Sequence, residues 1–218
     1  MSDIARIAAA IVERAAGSPR ALVAIAGPPG AGKSTIAAAL CGALPERAVV
    51  VPMDGFHFDD GVLEQRGMRQ RKGAPETFDF RGFAALLERL RAREPEVAIP
   101  VFDRSLELSR AGAAVVDTGV KFVLVEGNYL LLEEEPWAGL AGLFDLSIFI
   151  DVPRRELERR LMERWRQHGK TDDQARDWIA SNDMPNIERV LARSRKAALV
   201  VSHRPAIEPV EPATMSMR

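Results

Sequence analysis

An apolar run, Ala21-Leu-Val-Ala-Ile-Ala26, leads straight into Gly27-Pro28-Pro29-Gly30-Ala31-Gly32-Lys33-Ser34-Thr35, and small apolar residues then resume at helical spacing as far as Leu44. A short run that is apolar on both faces reads as a strand buried in a parallel sheet, and the glycines supply the tight turn that sends the chain back as a helix. The spacing is that of G-x-x-x-x-G-K-[ST], in which backbone N–H groups and a helix N-terminus surround phosphate oxygens. Lys33 is then expected to bridge the β- and γ-phosphates, and Ser34 to place its hydroxyl on Mg²⁺. A glycine turn with no ligand needs no lysine at that offset.

Strand-like runs continue at Ala48 to Pro52, Val97 to Phe102, Phe122 to Val125, Leu146 to Val152 and Leu199 to Val201, with Ala113 to Val116 as an extra edge strand. Helical periodicity covers Ile4 to Ala15, Lys33 to Leu44, Arg81 to Arg93, Arg154 to His168, Asp173 to Ser181 and Asn186 to Ala197. Strands alternating with helices predict an α/β fold on a doubly wound, mostly parallel sheet. At 218 residues, one domain over 1–202 is the default, and the tail 203–218, with Pro205, Pro209 and Pro212, reads as an irregular arm.

Lysine plus arginine number 30 against 31 aspartate plus glutamate, a net charge of -1, so no global field favours nucleic acid or anionic lipid. The longest apolar run falls far short of the roughly 20 residues of a membrane helix, and the N-terminal stretch carries no continuous apolar signal region. The lone Cys41 forms no internal disulfide and reads as a core residue. A cytoplasmic protein acting on a small molecule is expected, without nucleic-acid or membrane partners; a homodimer is left open.

Phe122-Val-Leu-Val-Glu126 ends an apolar strand in a carboxylate, and Val49-Val-Val-Pro-Met-Asp54 repeats the design one strand earlier. Open α/β sheets bind ligands at the carboxyl ends of their strands. Glu126 is expected to hold Mg²⁺ or its water and Asp54 to orient or deprotonate an attacking hydroxyl, with the two roles exchangeable on sequence alone. Two such acids beside a phosphate loop point to phosphoryl transfer rather than nucleotide binding alone. His57 is either a substrate contact or a hydrogen-bonded loop histidine.

Four further stretches are Met53-Asp-Gly-Phe-His57, Arg71-Lys-Gly-Ala-Pro-Glu-Thr-Phe-Asp79, Pro100-Val-Phe-Asp103 and Val125-Glu-Gly-Asn-Tyr-Leu130. With them, the chain from about Leu22 to Ser202 resembles the P-loop kinase family of uridine kinase, phosphoribulokinase and type I pantothenate kinase. Within that family it is most similar to bacterial kinases associated with fructose transport systems. The resemblance implies a P-loop nucleoside triphosphate hydrolase fold with a helical lid at about 153–182, ATP and Mg²⁺ as cofactors, and phosphorylation of a hydroxyl on a small metabolite. It carries Asp54 onto the family's catalytic aspartate, Glu126 onto its strand-end acid, and Lys33 and Ser34 onto its phosphate and magnesium residues. Phe102 to Glu107 departs from the nucleoside-contact sequence of uridine kinases, and Asp103-Arg104 departs from the pantothenate kinase motif. A sugar or sugar-like alcohol is therefore placed ahead of a nucleoside, a nucleoside monophosphate or pantothenate as acceptor.

From Pro153 to Lys170 seven basic residues stand against three glutamates. Leu157, Leu161 and Trp165 form an apolar stripe at helical spacing, and Arg160 and Arg164 share one border of it. From there they are expected to neutralise charge on the transferring phosphoryl group. The remaining arginines fall on the far face, where solvation and i,i+4 pairing explain them. Lys170 is a lid residue or a helix-dipole partner. Acceptor candidates are His57, Arg71, Lys72, Phe78, Asp79, Asp103 and Arg104, because carboxylates and arginines hold hydroxyls in pairs and aromatic rings cover a sugar face. Phe78 is equally a loop-packing residue. The non-enzymatic alternative is a nucleotide-dependent regulatory switch, but no N-K-x-D guanine-reading motif occurs in the chain.

Overall fold

The computed structural model describes residues 3–202, so the tail at 203–218 lies outside the described residues. The strands are β1 (Ala21–Ala26), β2 (Ala48–Pro52), β3 (Glu96–Asp103), β4 (Leu108–Asp117), β5 (Phe122–Gly127), β6 (Leu146–Asp151) and β7 (Leu199–Ser202). The helices are α1 (Asp3–Arg14), α2 (Lys33–Ala43), α3 (Asp60–Gln65), α4 (Phe80–Arg91), α5 (Arg154–Gln167), α6 (Asp172–Trp178) and α7 (Met184–Arg193). Five strands form one parallel sheet in the order β2-β5-β1-β6-β7.

Every residue of β1 is buried, as a strand with helices on both faces requires. Its side chains alternate between two cores. Leu22, Ala24 and Ala26 join Phe83, Leu87, Leu130 and Trp137 on one face, whereas Val23 and Ile25 join Ile7, Ile11, Leu40, Leu157 and Leu161 on the other. The doubly wound sheet thus follows from period-2 alternation of residues that are all apolar. Cys41 packs half-buried on the second core and donates its thiol to Ala48 C=O at 3.2 Å.

The stretch at Val97 to Phe102 does not extend the parallel sheet. It forms β3, which pairs antiparallel with β4 in a separate ribbon, and Ala113 to Val116 lies inside β4 rather than at the sheet edge. Only a short turn joins these strands, and a parallel crossover needs a dozen or more residues. Much of β4 is exposed, unlike β1 and β5 of the main sheet, which are buried throughout. The predicted helix at Asn186 to Ala197 is α7, ending at Arg193. The helix expected at Asp173 to Ser181 splits: α6 stops at Trp178, and a π turn, Ile179–Asp183, leads into α7.

Arg20, only 4% exposed, ties the base of β1 to α4, to the last residue of β4 and to the segment between β4 and β5. Its guanidinium donates to Val120 C=O at 3.0 Å, Leu90 C=O at 2.9 Å and Asp117 C=O at 2.5 Å. Arg20→Met leaves three carbonyls without this donor and is expected to lower unfolding stability by about 3 kcal/mol in urea titrations.

Candidate active site

The loop after β1 delivers α2 without a side-chain cap, since Gly32 at its N-cap sits at φ 89°, a left-handed conformation that favours glycine. The hydrogen bond from Ile36 N–H to Gly32 C=O, at 3.1 Å, closes the first turn of α2. The preceding N–H groups have no intrahelical partner and form the anion-attracting end of the helix. Lys33, 9% exposed, donates from Nζ to Pro28 C=O at 3.0 Å and to Asn128 Oδ1 at 2.6 Å. Burial pulls its pKa down, against the opposing pull of Glu126 and Asp54.

Two acids reach the same edge because β5 lies between β2 and β1, with Glu126 level with Pro52 on one side and Ile25 on the other. Asp54 follows two residues after Pro52, in a 3-10 turn, Met53–Phe56. That turn packs onto the end of β5 through a gap at Gly127, where a Cβ would come within 2.6 Å of Met53 Cβ. Burial opposes ionisation of Asp54, yet the surrounding charges win and hold its pKa below the ordinary value. His57 is among those charges, but burial pushes it down to about 4. At neutral pH the work therefore falls to Arg104, Lys33 and Arg164. Glu126, 7% exposed, moves the other way, raised by burial and then by the charge of Asp54.

Ser34 Oγ donates to Glu126 Oε1 at 3.2 Å. Hydroxyl and carboxylate oxygens are the donors a hard cation such as Mg²⁺ takes, and the mutual repulsion of Glu126 and Asp54 is what such a cation would relieve. Among the described residues no group of three or more His, Cys, Asp or Glu side chains is placed to hold a metal. A cation here would complete its shell from phosphate and water. The residues present fit it on those terms.

Beside the loop opens a cavity of about 770 Å³, reached by Pro29, Asp54, His57, Lys72, Phe78, Arg104, Asn128 and Arg164. Arg104 donates to Asp54 Oδ2 at 2.7 Å. His57 stacks on Phe78 with ring centroids 4.0 Å apart, and its Nδ1 is buried without a hydrogen-bond partner. Lys72 lines the wall, although Nζ is held by Asp60 at 2.7 Å. Arg164 faces the cavity within the fields of Asp54, Asp183 and Glu107; burial, with Arg104 next, lowers its pKa.

Several expected site residues are placed elsewhere. Asp79 caps α4, its Oδ1 accepting from Gly82 N–H at 3.0 Å, and lies outside the cavity lining. Asp103 caps the ribbon turn, accepting from Ser105 N–H at 3.0 Å and Ser105 Oγ at 2.6 Å, and pairs with Arg110 at 3.3 Å. Both are the ordinary use of an aspartate whose neighbours' N–H groups lack partners. Arg71 ends a 3-10 turn, Arg69–Arg71, and does not itself line the cavity, although Arg69 and Gln70 of the same turn do. Arg160 and Arg164 separate: Arg160 bonds Glu156 at 2.7 Å and reaches Gly30 and Ala31 C=O, each at 3.3 Å, clasping the back of the phosphate loop.

Other cavity residues went unassigned in the sequence. Asn128, two residues beyond Glu126, carries a signal in that spacing alone. The far wall is built from Trp165, Lys170, Trp178, Asn182 and Asp183, brought together by α5, α6 and the π turn. Lys170 Nζ lies 5.3 Å and 5.0 Å over the Trp165 and Trp178 rings. Asp183, 8% exposed, accepts from Trp165 Nε1 at 2.7 Å, and burial pushes its pKa up to about 6.

A five-stranded parallel sheet of this order, with a phosphate loop after its central strand, defines a P-loop α/β protein. Residues 22–208 match the model of the Phosphoribulokinase / Uridine kinase family, and the chain belongs to that family. Uncharacterized protein YggC of Escherichia coli (strain K12) is 41% identical over 188 residues, covering 84% of this chain and 77% of that protein. A pantothenate kinase of Streptomyces avermitilis is 29% identical, over 84% of this chain and 66% of the relative. Among solved structures, a provisionally named fructose transport system kinase from Silicibacter sp. TM1040 shares 41% identity and superposes with a TM-score of 0.85, covering 92% of this chain and 100% of its own. Among the described residues no helix is long and apolar enough to cross a membrane.

The folded chain keeps the Asp183 proton up to about pH 6, whereas the unfolded chain releases it near 3.8, so raising the pH between those values costs native stability. Asp183→Asn removes that cost. Urea titrations should find the variant more stable than wild type by about 2 kcal/mol at pH 7.5, with the difference gone below pH 4.

Proposed function

We propose that this protein is an ATP-dependent kinase that phosphorylates a hydroxyl of a sugar or sugar-like alcohol. The observation that carries the reading is an ionised Asp54, paired with Arg104 at 2.7 Å, on the wall where the cavity meets the phosphate loop. An acceptor hydroxyl there loses its proton to Asp54 as its oxygen attacks the γ-phosphorus and the bond to the ADP oxygen breaks. Lys33 and the N-terminus of α2 hold the phosphates, and Arg164 meets charge spread over the phosphoryl oxygens. Arg160 acts one step back, by fixing the carbonyls of Gly30 and Ala31 and so the shape of the loop. Mg²⁺ held by Ser34 and Glu126 would neutralise charge between the β- and γ-phosphates.

The segment at about 153–182 serves as the lid, since α5 lies over the loop and α6 closes the far wall. Water exclusion by this segment strengthens each electrostatic contact within. A nucleoside monophosphate acceptor is less favoured: of the cations expected to meet its phosphate, Lys72 pairs with Asp60 and Arg104 with Asp54, and Arg71 does not line the cavity, although Lys170 and Arg164 do.

Asp54→Asn keeps the size of the side chain and removes its basicity. In assays of ATP consumption with product mass, turnover with the best acceptor should fall about 1,000-fold while MgATP binding persists. Arg164→Ala should lower kcat by about 100-fold or more with a smaller change in acceptor KM. Acceptor-independent ATP hydrolysis with no phosphorylated product would instead favour the regulatory switch.

A further inference from the structure

The π turn at Ile179–Asp183 interrupts what would otherwise be one run of helix from α6 into α7, with Met184 N–H bonding back to Ile179 C=O. Such a widened turn is less favourable than an α-helical one and recurs at functional sites. Here it delivers two polar side chains, Asn182 and Asp183, to the cavity wall, where Arg164 lies within the fields of both Asp183 and Asp54. Asn182 has a structural task, donating to Lys72 C=O at 2.8 Å. Asp183 does not complete its hydrogen bonding. Oδ2 accepts from Trp165, and among the described residues Oδ1 has no partner. A neutral acceptor would satisfy one indole N–H without the cost of burying a carboxylate.

A second unmet group lies on the same wall. Trp178 lines the cavity, its ring 5.7 Å from that of Trp165, and its Nε1 is buried with no hydrogen-bond partner. The Asp183 oxygen that the protein leaves open is an acceptor for a hydroxyl group of a ligand in the cavity. Arg164 and Lys170 already set positive charge beside Asp183, so no ligand ammonium is needed there, and the Asp183 carboxylate repels a ligand carboxylate. The indole rings add apolar surface for the carbon face of a polyol.

We propose that Asp183, turned into the cavity by the π turn and braced by Trp165, is the specificity residue that reads a second hydroxyl group of the acceptor. The proposal deepens the kinase reading and rests on it for which end of the acceptor reacts. It makes the acceptor a molecule with at least two hydroxyls on an uncharged carbon skeleton, one at Asp54 and one at Asp183.

The test uses the whole chain with Mg²⁺ and a non-hydrolysable ATP analogue. Neutral aldoses and alditols, amino sugars and aldonates are titrated while tryptophan fluorescence is followed; Trp165 and Trp178 line the cavity, whereas Trp137 is buried in the core. A neutral polyol should change the signal and be phosphorylated when ATP replaces the analogue. Asp183→Asn, which keeps an acceptor for Trp165, should raise both half-saturation and acceptor KM at least about 10-fold, the loss lying in KM rather than kcat. Amino sugars preferred over neutral ones, aldonates preferred over both, or unchanged half-saturation in Asp183→Asn would each overturn the assignment, as would no binding by any compound. Polyol binding that depends on Asp183 with no phosphorylated product would uphold the assignment and sink the kinase reading, so the two failures are distinguishable.

Discussion

Lys33 is nearly buried at the edge of the central sheet, and its only hydrogen-bond partners among the described residues are two neutral oxygens, Pro28 C=O and Asn128 Oδ1. A buried ammonium without a direct counter-ion is costly, and here burial already depresses its pKa. The nearest relief inside the chain is the field of Asp54 and Glu126, which repel one another and raise the pKa of Glu126. Lysine, Glu126 and the bare N-terminus of α2 are therefore individually unfavourable, whereas Asp54 is held ionised by the charges around it. Polyphosphate between the lysine and the helix end, with a divalent cation against the acids, is the ligand that balances all of them. The parallel sheet exists in this form to hold those four ends together.

Charge inside the cavity is arranged in matched pairs rather than as a basic patch. Arg104 answers Asp54, Lys72 and Arg69 answer Asp60, Lys170 lies over the Trp165 and Trp178 rings, and Arg164 faces the region where phosphoryl charge develops. Such pairing keeps Asp54 ionised at neutral pH without a strongly positive pocket. It also explains how a chain of net charge -1 builds an anion site: the cations are local to the lid and the loop.

The parts legible in the sequence were those whose signal is local. The phosphate loop announces itself because Gly30 and Gly32 adopt positive φ and Lys33 follows at a fixed offset. Asp54 and Glu126 were visible because each ends a strand that is otherwise apolar. Long-range contacts left no such mark. Arg20 is bound by carbonyls from distant segments, and Asp183 becomes a cavity residue only because a π turn rotates it there and Trp165 meets it across 18 positions. The ribbon of β3 and β4 leaves no separate mark in the sequence, because short apolar runs look alike in either setting. Asp79 and Asp103 are ambiguous for a related reason: an aspartate serving a cap and one serving a ligand look the same from composition, and here local N–H groups engage both.

Calorimetric titration of the intact chain with ATP, in the presence and absence of magnesium and with Lys33→Met alongside, bears most directly on the cradle at the end of β1. The account predicts saturable uptake that strengthens with magnesium and is lost in Lys33→Met while the fold persists. Uptake that ignores both the metal and the lysine, or no uptake by the wild-type chain, would contradict it.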